Sequence, residues 1–248
     1  MMKQSLLLRH LLSGTIALLL TYVFWLTRPQ WSAEMRLWRA VGDAGLILLL
    51  LALVIGPAAR HWPMTAALVP WRRELGIWFG IMALGHTVLI LAGWARWDVQ
   101  RFLGYEFVPQ LNRYARIEPG FGLANLIGLV AVGWTLVLMA TSSNWAIEAL
   151  GGQAWKWLQY GAYIVFYLVV LHTAYFLFMH YTPSFHRTPP TDQNWFRFPF
   201  LIVALAVPAL QISAFARTVT RQKRAAALAR EAEGGRTKRA AKRQHSRA

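Results

Sequence analysis

Two histidines lie inside separate apolar runs, His86 in LGIWFGIMALGHTVLILAG and His172 in YIVFYLVVLHTAYFLF. An ionisable ring at membrane depth is costly and by default functional. Two such rings on different helices point to one shared ligand, and haem iron is the commonest ligand needing two imidazoles there. His86 stands about eleven residues into its run and His172 about fifteen into its own. At a rise of about 1.5 Å per residue, parallel helices would bring both rings to a similar depth. Each neutral Nε2 could then bind iron while Nδ1–H donates to a nearby carbonyl or hydroxyl. Thr87 and Thr173 follow the two histidines, and their hydroxyls can return to their own helix backbones. The competing reading is a structural histidine bonded to a neighbouring helix. His180 lies eight residues beyond His172, about two turns along the same helix face. It is a candidate for the outer face, meeting a haem propionate, a metal ion or an electron acceptor. His186 falls in the adjoining outer turn, while His10 and His61 read as headgroup contacts.

Such rings need a bilayer around them, and the composition supplies one. The 248 residues are 56% hydrophobic, with a mean hydropathy of +0.36. The apolar residues gather in blocks that match a hydrocarbon core about 30 Å thick. Six spans are predicted, at 11–27, 40–59, 75–94, 122–141, 157–181 and 197–216. In lipid these must be helices, because only a helix satisfies its own backbone polar groups. The fold class is therefore an all-α membrane protein, a bundle of about six transmembrane helices over residues 1–216. Tryptophans near the expected span ends, among them Trp25, Trp31, Trp62, Trp94, Trp157 and Trp195, suit the headgroup level.

The net charge of +16 could suggest a nucleic-acid partner, but its distribution argues for lipid. Much of it lies in residues 217–248, where Arg217, Arg221, Lys223, Arg224 and Arg230 begin a basic tail opposed only by Glu231 and Glu233. A basic tail directly after an apolar helix marks the cytoplasmic side and touches anionic lipid. Both termini are therefore expected in the cytoplasm of a bacterial inner membrane, with the tail partly disordered beyond about residue 225. The apolar N-terminus has no small-residue cleavage site, so it reads as a retained first helix.

On this topology the outer segments are 28–39, 95–121 and 182–196. Segment 95–121 reads as a surface-lying connector with a short interfacial helix, or as a lid over a site. No internal repeat is visible. The absence of cysteine excludes disulfides, thiolate catalysis, iron–sulfur clusters and haem attached through CxxCH. No GxGxxG after a strand, P-loop or GxSxG is present.

Longer stretches of the chain resemble a known family. The run WRRELGIWFGIMALGHTVLIL resembles the third span of ferric-reductase-like transmembrane proteins: a basic pair, Leu-Gly, then a haem histidine. The run LMATSSNWAIEALGGQAWKWLQYGAYIVFYLVVLHTAYF resembles the end of their fourth span and the fifth. The likeness covers roughly residues 40–181 and is nearest to the small flavin-free branch, whose type member is the haem-binding membrane subunit of the bacterial periplasmic methionine sulfoxide reductase system. It implies His86 and His172 as axial ligands of haem b. It also implies Arg72, Arg73 and Trp71 at the cytoplasmic face, where electrons enter. The family has His where this chain has Gln159, thirteen positions before His172, so one haem is expected rather than two. The usual Arg-Pro-Tyr before span four is also missing.

The reading that follows is an electron-transfer subunit of a reductase system, not a complete enzyme. Its donor would be quinol, a flavin reductase, or flavin bound at the cytoplasmic face. Its acceptor would be a periplasmic protein or ferric iron. The alternative is a membrane anchor or assembly subunit without haem. A proton-coupled transporter would need intramembrane carboxylates, and Asp43 is the one clear candidate.

Overall fold

The computed structural model describes residues 5–116, 119–180 and 194–245. Its first helix, α1 (Leu6–Leu26), starts at Ser5, whose hydroxyl accepts from the amide of Leu8. Ser32 caps α2 (Ala33–His61) in the same way through Met35, satisfying amides that the first turn of a helix leaves orphaned. A 3₁₀ segment (Pro63–Trp71) turns the chain into α3 (Arg72–Leu89), which ends in a π-helical turn at Ile90–Trp94. After α4 (Val99–Phe102), an antiparallel hairpin of β1 (Tyr105–Val108) and β2 (Arg113–Arg116) turns through Asn112, which adopts the left-handed conformation. Then come α5 (Pro119–Ala140), α6 (Asn144–Leu150), α7 (Gly152–Gln159) and α8 (Gly161–Ala174), the last ending in a second π-turn at Tyr175–Met179. The last helix, α9, runs continuously from Arg197 to His245.

Among the described residues, six helical segments are long and apolar enough to cross a membrane, as the sequence predicts. They are unequal. In α2 56% of the most apolar window is buried, against 17–22% in the other five, so α2 is the axis of the bundle. It packs on α1, α3, α8 and α9, while α5 packs chiefly on α8. The core accordingly gathers Leu46, Leu48 and Leu53 of α2 with Phe24, Phe79, Phe166 and Phe200 from its neighbours.

Two features of the fold depart from the sequence reading. Segment 95–121 contains a β-hairpin as well as the expected short helix. The boundary expected at residue 216 falls inside one helix, because Ala- and Arg-rich sequence has high helix propensity and α9 simply continues. Near that boundary Ser213 Oγ lies 2.9 Å from His61 Nε2, and Arg217 donates to the His61 carbonyl at 3.3 Å. These contacts tie α9 to the end of α2. The side of the bundle from which the basic helix leaves is called the tail side below.

On the opposite side Arg28 is fully buried and pairs with Asp43 of α2, and it also donates to Asn194 Oδ1 at 3.4 Å. Its guanidinium lies over the rings of Phe24 and Trp31. One side chain thus ties the α1–α2 turn, α2 and the approach to α9. Removing one partner of a buried pair strands the other charge, at a cost of about 3 kcal/mol or more. Arg28→Leu should therefore lower the thermal midpoint in detergent markedly, and the double variant Arg28→Leu/Asp43→Leu should recover part of the loss. A double variant as unstable as the single one would sink this account.

Candidate functional site

His86 approaches the end of α3 and His172 the end of α8, each a few residues before a π-turn. Such turns are rare and recur at functional sites. The two rings face each other with centroids 6.4 Å apart and planes at 83°. His86 Nδ1 lies 2.8 Å from the carbonyl oxygen of Trp38 on α2, and His172 Nδ1 lies 2.8 Å from that of Ala124 on α5. A carbonyl only accepts, so each Nδ1 carries the proton and donates, leaving Nε2 of both rings as the basic nitrogen. Thr87 returns its hydroxyl to Ala83 of its own helix at 2.8 Å.

The rings stand on the wall of a cavity that encloses about 1380 Å³ of space, including its open mouth. One end is apolar, lined by Leu46, Phe79, Ala83, Val132 and Val169. The other is polar, lined by Arg39, Asp43, Asn125, His180 and Asn194. His180 is therefore brought to the same cavity as the pair. Its ring lies 5.4 Å from Phe176, which lies 5.0 Å from His172. Phe121 packs on Phe176, His180 and Trp94.

Arg72 and Arg73 are not brought there. They open α3, about 20 Å from His86 at 1.5 Å per residue, on the tail side. Arg72 Nε donates to the Ala52 carbonyl at 2.9 Å, beside Gly56 and the backbone bond that Pro57 cannot make. Arg73 Nε donates to the Ser142 carbonyl at 2.7 Å and its Nη1 to Asn144 Oδ1 at 2.9 Å. Between these arginines and the cavity the interior is packed. Met139 of α5 lies against Gly80 of α3, and Phe166 of α8 is 1% exposed. Gln159 donates its amide to Thr141 Oγ1 at 3.2 Å, and Trp155 Nε1 donates to the Thr141 carbonyl at 2.9 Å. His186 lies outside the described residues.

Segment 95–121 is more than a connector. Phe102 is buried and lines the cavity, and its carbonyl accepts from Asn125 Nδ2 of α5 at 2.7 Å. The backbone of Leu103 rests directly on Gly122, where a Cβ would collide with it.

Sequence reasoning missed two parts of the site. One is the set of partners around Asp43: buried Arg28 and Asn194 and half-buried Arg39. The other is an internal correspondence: Trp38 and Ala124, Gly42 and Gly128, His86 and His172, and Thr87 and Thr173 are each 86 residues apart. The α2–α3 and α5–α8 pairs thus build the same half-site twice. The repeat is hidden because few side chains between these positions match.

A model of the family described as ferric reductase like transmembrane component matches residues 41–170. The chain belongs to this family. The match takes in His86 and stops just short of His172. The chain is also 30% identical over 154 residues to the protein-methionine-sulfoxide reductase heme-binding subunit MsrQ of Polaromonas naphthalenivorans (strain CJ2). That alignment covers 60% of this chain and 64% of the relative, so the chain spans less than two thirds of the relative's length.

The Asn125 contact makes a test of how segment 95–121 is held. Asn125→Ala leaves the buried Phe102 carbonyl without its donor, at a cost of about 1–3 kcal/mol. Limited proteolysis should then cut faster between residues 96 and 116. An unchanged cleavage rate would mean that this hydrogen bond does not hold the segment down.

Proposed function

We propose that this family member is a membrane electron-transfer subunit that holds one haem b between His86 and His172. The observation that carries the reading is the pair of facing imidazoles, each with Nδ1 committed to a carbonyl and Nε2 turned to a shared cavity. Two metal–nitrogen bonds of about 2 Å, with the reach of two five-membered rings, span roughly 6 Å, which fits the 6.4 Å between centroids. Imidazoles that ligate metal almost always donate their other N–H to a carbonyl or carboxylate. The cavity also has the right polarity for a macrocycle with carboxylates at one edge. Arg39, His180 and Asn125 stand at the polar end, and aliphatic and aromatic side chains line the rest. When bound, haem would supply one-electron ferric/ferrous chemistry at a potential set by its ligands and their surroundings.

The remaining assignments concern the chain's own residues. Gln159, tied to Thr141, and the packing of Met139 and Phe166 below the cavity support a single haem. The basic extension of α9, with exposed Arg72 and Lys156, supports placing the tail side, and both termini, in the cytoplasm. A flavin reductase, flavin bound at that face, or quinol would then be the donor, and the tail-side arginines would attract an acidic partner or a flavin phosphate. His180 lies at the opposite end of the cavity, toward a periplasmic protein or ferric iron as acceptor. Segment 95–116, docked through Phe102, would keep bulk water off the pair.

The test is a reduced-minus-oxidised absorption spectrum of the detergent-purified protein, with haem measured per chain. One low-spin b-type haem is expected. His86→Ala and His172→Ala should each abolish its retention, and Gln159→Ala should leave it intact. Equal haem content in the three variants would overturn the ligand assignment. No haem in the parent protein after expression with ample haem supply would favour an anchoring subunit.

A further inference from the structure

We infer that Gly42 and Gly128 are positioning residues that hold the two imidazoles perpendicular and fix the electronic character of the iron site. The inference rests on the haem reading above. A helical carbonyl already accepts from the amide four residues on. Its second lone pair faces outward, and a donor as bulky as an imidazole on another helix reaches it most closely where no side chain stands over it. In a helix, side chains lean toward the N-terminus and cover the turn before their own Cα. The residue four positions after a carbonyl therefore shields it. At both carbonyls that accept from the histidines, that residue is glycine: Gly42 follows Trp38, and Gly128 follows Ala124.

The fit at both glycines is close. A Cβ on Gly42 would stand 3.1 Å from Nδ1 and from Cε1 of His86. One on Gly128 would stand 2.8 Å from Nδ1 of His172 and 3.0 Å from its Cε1. Each imidazole therefore lies directly on the backbone of the helix that accepts its proton. Those helices, α2 and α5, fix the two ring planes independently, and the result is the 83° angle. Gly56 of α2 stands in the same relation to the Ala52 carbonyl and its donor Arg72, but not every glycine of the bundle does. A Cβ on Gly76 of α3 or Gly133 of α5 would meet nothing within 4 Å.

Two consequences follow for bound haem. Perpendicular imidazole planes leave two iron d-orbitals nearly degenerate, which gives ferric low-spin iron a highly anisotropic paramagnetic resonance signal. Near-parallel planes give an ordinary rhombic one. Donation from Nδ1–H to a carbonyl makes the ligand nitrogen more basic, which favours ferric over ferrous iron and lowers the potential.

The experiment compares the parent protein, Gly42→Ala, Gly128→Ala and the control Gly133→Ala, all loaded with haem in detergent. Low-temperature paramagnetic resonance and redox titration are the readouts. The parent should show the highly anisotropic signal. Gly128→Ala should move that signal toward the rhombic form and shift the midpoint to more positive potential. Gly42→Ala should do the same to a smaller extent, since its added methyl has more room. Gly133→Ala should match the parent in both readouts. Loss of haem from Gly128→Ala but not from Gly133→Ala would also support the assignment. A rhombic parent signal, or a signal and midpoint in Gly128→Ala identical to those of the parent, would overturn this inference and leave the haem reading standing. Absence of haem from the parent protein would overturn both.

Discussion

A polar group inside an apolar bundle must find its partner within the protein, because lipid offers none. The two imidazoles meet this constraint through backbone carbonyls of neighbouring helices, and much of the architecture follows. The accepting carbonyl must be uncovered, so a glycine stands four residues on. The accepting helix must lie against the histidine helix, so α2 packs on α3 and α5 on α8. Two such pairs, set side by side, leave the rings facing across one cavity. The half-site is built once at Trp38, Gly42 and His86 and again at Ala124, Gly128 and His172. In each, the same separation of 48 residues joins carbonyl to ring.

Charge obeys the same constraint with a different solution. Arg28 and Asp43 neutralise each other beside the polar end of the cavity, and the aromatic faces of Phe24 and Trp31 cover the guanidinium. Arg9 and Glu74 form a second pair between α1 and α3 near the tail side, at 3.3 Å, with Glu74 fully buried. Buried pairs of this kind contribute little net stability, but breaking one is costly. They join α1 to α3 at one end of the bundle and the α1–α2 turn to α2 at the other. The two ends of the bundle thus differ in kind. One gathers histidine, aromatic rings and a neutralised charge group around a cavity. The other carries arginines that brace helices and the start of the basic stretch of α9.

The spans, the helical class and the placing of His86 and His172 inside apolar helices were all legible in the chain, because hydrophobic block length and a polar residue inside a block are local properties. Thr87 was read correctly for the same reason: a hydroxyl returning to its own helix needs no other element. His180 was expected two turns beyond His172 along an ideal helix. It does line the cavity, but by way of a π-turn that the sequence does not signal. That Phe102 lines the cavity was not legible, since its position depends on its carbonyl meeting Asn125 twenty-three residues later. The brace formed by Arg72 was missed because its acceptor, the Ala52 carbonyl, belongs to another helix.

By itself, then, the sequence determined that this is a bundle of helices built for lipid, with two imidazoles inside it. Apolar runs and their interruptions are read one segment at a time, and the bilayer leaves each run a single secondary structure. Tertiary structure alone decided that the rings face one another at 83° on one cavity, and that Gly42 and Gly128 lie beneath them. It also decided that Arg28 rather than solvent answers Asp43. Each of these is a contact between helices far apart in the chain. Contact depends on which faces of the helices meet, and spacing along one helix carries no record of its neighbour.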